Sequence, residues 1–157
     1  MRIVRDQMGL INVIPMVPFV RTPQEASKVI ECLRAYGIER SGSLKLCMMV
    51  EIPSNIIIFE KFAHFFDLFS IGSNDLTQFT LAIDRDCAAL ASDFNEENEA
   101  VVRLVSDVIA KAGMLGKPIG ICGQAPSDNY QFAQLLIESG INSISLNPDS
   151  VLSFLQK

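Results

Sequence analysis

The 157-residue sequence has no Cys-x-x-Cys pair and a single histidine, His64, so it builds neither a zinc site nor a disulfide framework. Its four cysteines are expected as reduced thiols, with Cys32, Cys47 and Cys87 serving as small buried apolar side chains. It also lacks any basic run. Lys and Arg number 13 against 18 Asp and Glu, for a net charge of −5, and nothing gathers enough positive charge to neutralise a phosphate backbone. Nucleic acid is thereby excluded as a partner. No apolar stretch approaches the roughly 18 residues of a membrane span, and the opening Met1-Arg2-Ile3-Val4-Arg5-Asp6 lacks the apolar segment of a signal peptide. The chain is expected to be cytoplasmic, with no membrane partner. There is no low-complexity segment, and no G-x-G-x-x-G follows the first apolar run; Gly120-Ile121-Cys122-Gly123 is too short a match.

What is present is ample apolar material, 49% of residues, arranged in alternation. Short apolar segments rich in β-branched residues, at 13–20, 45–51, 66–72, 118–122 and 142–146, read as strands. Longer segments of helical period lie between and after them, at 23–36, 53–64, 96–113, 129–139 and 148–155. Pro23 after Thr22 and Pro148 after Asn147 suit first helical turns. This is the pattern of an α/β domain with five parallel strands. It fits an open doubly wound sheet or a partial (β/α)8 barrel, and pattern alone does not choose. The connection at 73–95 is too long for a plain βα loop, which marks it as a functional segment.

Each expected strand ends in a residue capable of chemistry: Arg21, Glu51, Asn74 with Asp75, Cys122 and Asn147. In a parallel sheet those ends lie on one face, where barrel enzymes assemble their sites. Glu51 and Asp75 fall at neighbouring strand ends, about 4.8 Å apart in a sheet. Without a histidine or paired thiolates nearby, two carboxylates suit Mg²⁺ or Mn²⁺. By residue type alone, Glu51 equally ends a strand in water and Asp75 equally caps a helix. Cys122 sits between Gly120 and Gly123, which leave room for a ligand; a thiol there can exchange a proton with carbon. Arg85, between Asp84 and Asp86 in the long loop, suits a phosphate, a carboxylate or a surface ion pair. His64 lies among Phe62, Phe65 and Phe66 and reads as a structural residue on the core side of a helix end.

The strings Met49-Val50-Glu51-Ile52-Pro53-Ser54-Asn55, Phe69-Ser70-Ile71-Gly72-Ser73-Asn74-Asp75-Leu76-Thr77-Gln78, Asp84-Arg85-Asp86, Gly120-Ile121-Cys122-Gly123-Gln124-Ala125-Pro126-Ser127-Asp128 and Ser143-Ile144-Ser145-Leu146-Asn147-Pro148-Asp149 resemble, in order and spacing, the C-terminal barrel of the PEP-utilising enzymes. That family includes pyruvate, phosphate dikinase and enzyme I of the sugar phosphotransferase system. The forms Gly-Ser-Asn-Asp, Cys-Gly-Gln and Ser-Leu-Asn-Pro-Asp look most like the branch that makes phosphoenolpyruvate, AMP and phosphate from pyruvate, ATP and water. The resemblance implies a (β/α)8 barrel that binds pyruvate or phosphoenolpyruvate and receives a phosphoryl group from a phosphohistidine on a swivelling domain. By it, Glu51 and Asp75 would hold Mg²⁺, Gly72, Ser73 and Asn74 would grip the substrate's carboxylate and phosphate, Arg85 would touch phosphate, and Cys122 would move the proton at the methyl carbon.

The resemblance covers the fourth to the eighth strand of that barrel, so residues 1–157 are expected to form a single incomplete domain. The earlier half-barrel, the phosphohistidine domain and the ATP-grasp domain would be its missing partners. The chain would be a fragment, a split-gene product or a remnant, inactive alone and prone to self-association through free edges at 13–20 and 142–146. A Mg²⁺-dependent pyruvate-enolate lyase or aldolase, or an inactive half-barrel, are the other readings.

Overall fold

The computed structural model describes residues 1–156. A π-helical turn at Ile3–Gln7 leads into β1 (Met16–Val17) and α1 (Pro23–Ala35). There follow β2 (Cys47–Val50), α2 (Pro53–Ile57), α3 (Phe59–Phe62), β3 (Leu68–Gly72) and α4 (Ser73–Leu81). The chain continues with α5 (Glu99–Met114), β4 (Ile119–Cys122), α6 (Ala125–Asp128), α7 (Tyr130–Glu138), β5 (Ser143–Ile144) and α8 (Pro148–Leu155).

The five strands form one parallel sheet in the order β1-β2-β3-β4-β5. That order settles the choice left open by the sequence pattern. A doubly wound sheet reverses its strand order at a switch point, whereas here every crossover steps the same way. Crossovers share one hand, so all the helices lie on one side, as in the arc of a (β/α)8 barrel. Burial agrees. Met48, Val50, Phe69, Ile71, Ile119 and Ile121, alternate residues of the three central strands, are buried under the helices together with Phe59, Phe62, Val105, Val108 and Leu136. Phe59 and Phe69 stack with ring centroids 4.5 Å apart. The opposite faces of the same strands carry Met49, Ser70 and Cys122, each only partly buried.

Side chains pin the starts of the strands. Leu46 N–H donates to Asp67 Oδ2 at 2.9 Å, and Ile119 N–H donates to Asn142 Oδ1 at 2.8 Å. Arg40 closes the first of these with a 2.6 Å ion pair to Asp67.

Several local expectations need correction. The edge strands are two residues each, because each has one neighbour and Pro15 and Pro18, with no N–H, bound β1 on both sides. The helix expected over 53–64 breaks at Ile58 (φ −119°, ψ 37°), the last of three successive isoleucines that a helix crowds. His64 is exposed past the end of α3, its carbonyl accepting from Arg40. Cys32 is exposed on α1, whose inward positions are Ala26, Ile30 and Leu33. Among the described residues no helix is long and apolar enough to cross a membrane.

β5 meets β4 at a position with no room for a side chain: a Cβ on Gly120 would collide with Ser143 Oγ and lie 3.2 Å from Ser143 O. Gly120→Ala is expected to destabilise the chain by about 1–3 kcal/mol, the usual cost of overpacking. Urea unfolding measures this, and an unchanged midpoint would mean that β5 is not held at this contact.

Candidate active site

Register brings the functional residues into one row. Gly72 pairs with Cys122, and Val50 pairs with Ile71, so Glu51 follows beside Gly72. A Cβ on Gly72 would lie 3.1 Å from Glu51 Cβ, which shows how closely the carboxyl ends of β2 and β3 approach there.

Glu51 is only 1% exposed although charged. Its Oε1 accepts from Phe19 N–H at 2.5 Å, and Asn55, buried at the start of α2, fixes the backbone around it. Asn55 Oδ1 accepts from the N–H groups of Glu51 (3.2 Å) and Ile52 (3.4 Å), while its Nδ2 donates to Val20 O at 2.7 Å. One amide thus ties the end of β2 to the segment after β1. Phe19 takes a left-handed backbone (φ 52°), a conformation that costs a non-glycine residue about 1 kcal/mol or more and is held here by the Glu51 contact. Its ring meets Phe79 edge-on at 6.2 Å.

Burial pushes the Glu51 carboxyl above its ordinary value of 4.5, the Phe19 N–H opposes that shift, and the negative charge of Asp75 adds to it. The structure therefore brings Glu51 and Asp75 into electrostatic reach of each other. Asp75 is the third residue of α4, which starts at Ser73 with no side-chain cap. The first N–H groups of that helix face the carboxyl edge of the sheet, an arrangement that favours anions. Among the described residues no three His, Cys, Asp or Glu side chains converge as a metal cage.

Ser73 is fully buried and its hydroxyl donates to Cys122 O at 3.3 Å. Gly123 follows so closely that a Cβ on it would collide with Ser73 Oγ and lie 3.1 Å from Glu96 Oε1. The Cys122 thiol donates to Ile71 O at 3.5 Å, and Ser70 Oγ donates to its sulfur at 3.6 Å. On the same face Cys47 is buried, and that burial, with a smaller effect of Cys122, pushes its thiol up to about 11.

Glu51, Gly72, Ser73, Asn74, Asp75 and Cys122 are thus gathered along two βα junctions and one strand end. Arg85 is not joined to them: it is exposed in the long loop, with its backbone N–H on Gln78 Oε1 at 3.4 Å. No carboxylate pairs with its guanidinium among the described residues; Asp84 Oδ1 accepts from Asp86 N–H at 3.0 Å. Arg21 is spent on Glu25 at 3.4 Å, and Asn147 N–H donates to Ser127 Oγ at 2.9 Å. Sequence reasoning missed Asn55, Phe19 and Glu96. The one available signal was Asn55 two residues after Pro53, a polar residue opening an apolar run.

Fold and site together define an α/β barrel-type domain whose polar side chains collect at the carboxyl edge of its strands. Residues 2–157 match the family described as PEP-utilising enzyme, PEP-binding domain, and the chain belongs to that family. It is 53% identical over 150 residues to the phosphoenolpyruvate synthase of Aquifex aeolicus, a match covering 95% of this chain and 18% of that protein. The phosphoenolpyruvate synthase of Escherichia coli is 51% identical over 150 residues, covering 95% and 19%. The chain therefore spans about a fifth of the length of these relatives. A crystal structure of a HpcH/Hpal aldolase/citrate lyase family protein from Burkholderia cenocepacia superposes with a TM-score of 0.61, over 90% of this chain and 61% of that one. At 16% identity that likeness shows the fold alone.

Glu51 generates a pH-dependent prediction. Its folded carboxyl is raised above 4.5, so the folded state keeps this proton to higher pH than the unfolded chain does. The resulting stability is present below the unfolded value and lost as pH rises through the folded one. Glu51→Gln keeps an acceptor for Phe19 without the charge. It should gain stability relative to the parent between about pH 4 and pH 8. Urea unfolding at both pH values checks this, and a constant difference would show that Glu51 titrates normally.

Proposed function

We propose that the chain is the pyruvate/phosphoenolpyruvate- and Mg²⁺-binding portion of a phosphoenolpyruvate synthase, the enzyme that converts pyruvate, ATP and water to phosphoenolpyruvate, AMP and phosphate. The carrying observation is the row Glu51, Gly72 and Cys122 at adjacent strand ends, with Asp75 beside it, in a chain half-identical to such synthases along 95% of its length.

The donor set fits Mg²⁺, with Mn²⁺ as an alternative. Glu51 is raised chiefly by burial, and the Asp75 charge adds to that; a cation between these carboxylates, with no imidazole among the donors, would relieve the added part. When bound, Mg²⁺ supplies Lewis-acid stabilisation of negative charge on the substrate's oxygens. The first N–H groups of α4, from Ser73 and Asn74, hold the substrate's carboxylate, and Gly72 lets the end of β3 lie close against Glu51. Arg85, free of carboxylate partners, reaches phosphate. The Cys122 sulfur moves the proton at the pyruvate methyl carbon. The C–H pair becomes the enolate, whose oxygen accepts the phosphoryl group from a phosphohistidine elsewhere in the enzyme.

On this reading the partners are the half-barrel that completes the sheet, a phosphohistidine domain and an ATP-grasp domain. The exposed Met16 at one edge, and Leu152 and Leu155 on α8 beside the other, are apolar surfaces for that half-barrel.

Two measurements test the proposal. The purified chain should show no pyruvate-dependent AMP release, whereas an enzyme in which the chain is joined to its upstream half-barrel and phosphoryl-carrying domains should, with Cys122→Ala lowering the rate at least about 100-fold. Full activity of Cys122→Ala would remove the proton-transfer role. By size-exclusion chromatography the isolated chain should self-associate and the co-expressed pair should not. A monodisperse monomer of the chain with a sharp melting transition would mean that its edges need no partner.

A further inference from the structure

Glu96 is a charged residue that the proposed chemistry leaves unused, yet it is only 8% exposed. It precedes α5, whose N-cap Asn98 accepts from Ala100 N–H at 2.9 Å, and α5 is anchored in the core through Val101, Val105, Val108 and Ile109. A buried carboxylate is costly unless its oxygens are satisfied. No Lys, Arg or His pairs with Glu96 among the described residues. Its partners are neutral donors from the two loops that carry the site. Oε2 accepts from Ala125 N–H at 3.0 Å, two residues past Gly123. In the orientation that satisfies the Asn74 carboxamide at both ends, its Nδ2 donates to Glu96 at 3.2 Å from each oxygen. The neighbouring Glu97 adds a third tie by accepting from Asn129 Nδ2 at 2.5 Å.

We propose that Glu96 is a positioning residue of the site: it turns the Asn74 carboxamide so that Nδ2 faces Glu96 and the carbonyl oxygen faces away, and it locks the β3–α4 junction to the turn after Cys122. What Asn74 then binds rests on the functional reading above; the positioning itself does not. Asn74 can serve an anionic substrate through its backbone N–H at the start of α4, while its side chain offers an acceptor to whatever lies opposite. Only a carboxylate accepts at both oxygens. A glutamine at 96 with its carbonyl oxygen in the Oε2 place would still accept from Ala125 N–H, but its NH2 in the Oε1 place would face the Asn74 NH2, donor against donor.

The test has two arms, with Glu96→Gln as the main variant and Glu96→Asp as a charge-preserving one set back by a methylene. In the chain itself, hydrogen–deuterium exchange followed by mass spectrometry should show uptake rising about tenfold in segments 72–78 and 122–128 of Glu96→Gln, the loss of one charge-assisted hydrogen bond. The core of α5 should remain protected. Unchanged exchange in both segments would overturn the proposal whatever the enzyme does. In the completed enzyme, Glu96→Gln should lower kcat/KM for pyruvate about tenfold while the melting temperature moves by at most about 2 °C, and Asn74→Asp with Glu96→Gln, which exchanges donor and acceptor, should recover part of that loss. Activity within twofold of the parent in Glu96→Gln would also overturn it. An inactive parent would count against the functional reading alone, and the exchange arm would still decide the role of Glu96.

Discussion

In a parallel sheet, register fixes the height of each side chain, and the pairing of Gly72 with Cys122 and of Val50 with Ile71 is the constraint from which this site follows. Ladder hydrogen bonds hold those heights, and the outward residues Met48, Val50, Phe69, Ile71, Ile119 and Ile121 hold the register through burial. A slip of one residue in any central strand would turn this apolar set away from the helices, so the core polices the site. Small residues then let the ends converge. Gly72 admits Glu51, and Gly123 admits Ser73 and Glu96, contacts that a single methyl group would block.

The same architecture leaves the other face open. A closed barrel fills its interior with layered side chains, whereas here Met49, Ser70 and Cys122 stay partly exposed and Met16 more so. The two edges are managed differently. β1 is bracketed by Pro15 and Pro18, each lacking an N–H, and the turn after it is bent by the left-handed Phe19. Beyond β5 the chain turns at Asn147 into α8, whose Leu152 and Leu155 face outward. Short strands and prolines blunt an edge, yet apolar side chains stay exposed beside both of these edges.

The order of elements was legible because period two and period 3.6 are local signals, and strands 45–51, 66–72 and 118–122 contain the observed β2, β3 and β4. The direction of winding was not a local signal; it came from the resemblance to a (β/α)8 barrel, and the sheet order β1-β2-β3-β4-β5 agrees with it. Glu51, Asp75 and Cys122 stood out because each closes an apolar run. Asn55 and Glu96 did not, because their meaning comes from partners far along the chain: Val20 lies 35 residues from Asn55 and Ala125 lies 29 from Glu96. His64 was misplaced for a related reason. Phenylalanines on either side suggest burial, but the helix ends at Phe62 and the chain turns the imidazole outward before Phe66 re-enters the core.

Cys47 and Cys122 lie on one face of the sheet at different depths. Cys47 lies at the start of β2, 5% exposed, and its thiol, pushed up to about 11, stays protonated at neutral pH. A group that never ionises there neither accepts nor exchanges a proton with a ligand. Cys122 ends its strand at the carboxyl edge of the sheet, where the Ser70 hydroxyl donates to its sulfur and its thiol donates to the Ile71 carbonyl. Position along the strand thus buries one thiol at the start of β2 and leaves the other partly exposed at the end of β4. The glycines beside Cys122 open no room for a ligand: Ser143 fills the space at Gly120, and Ser73 and Glu96 fill the space at Gly123.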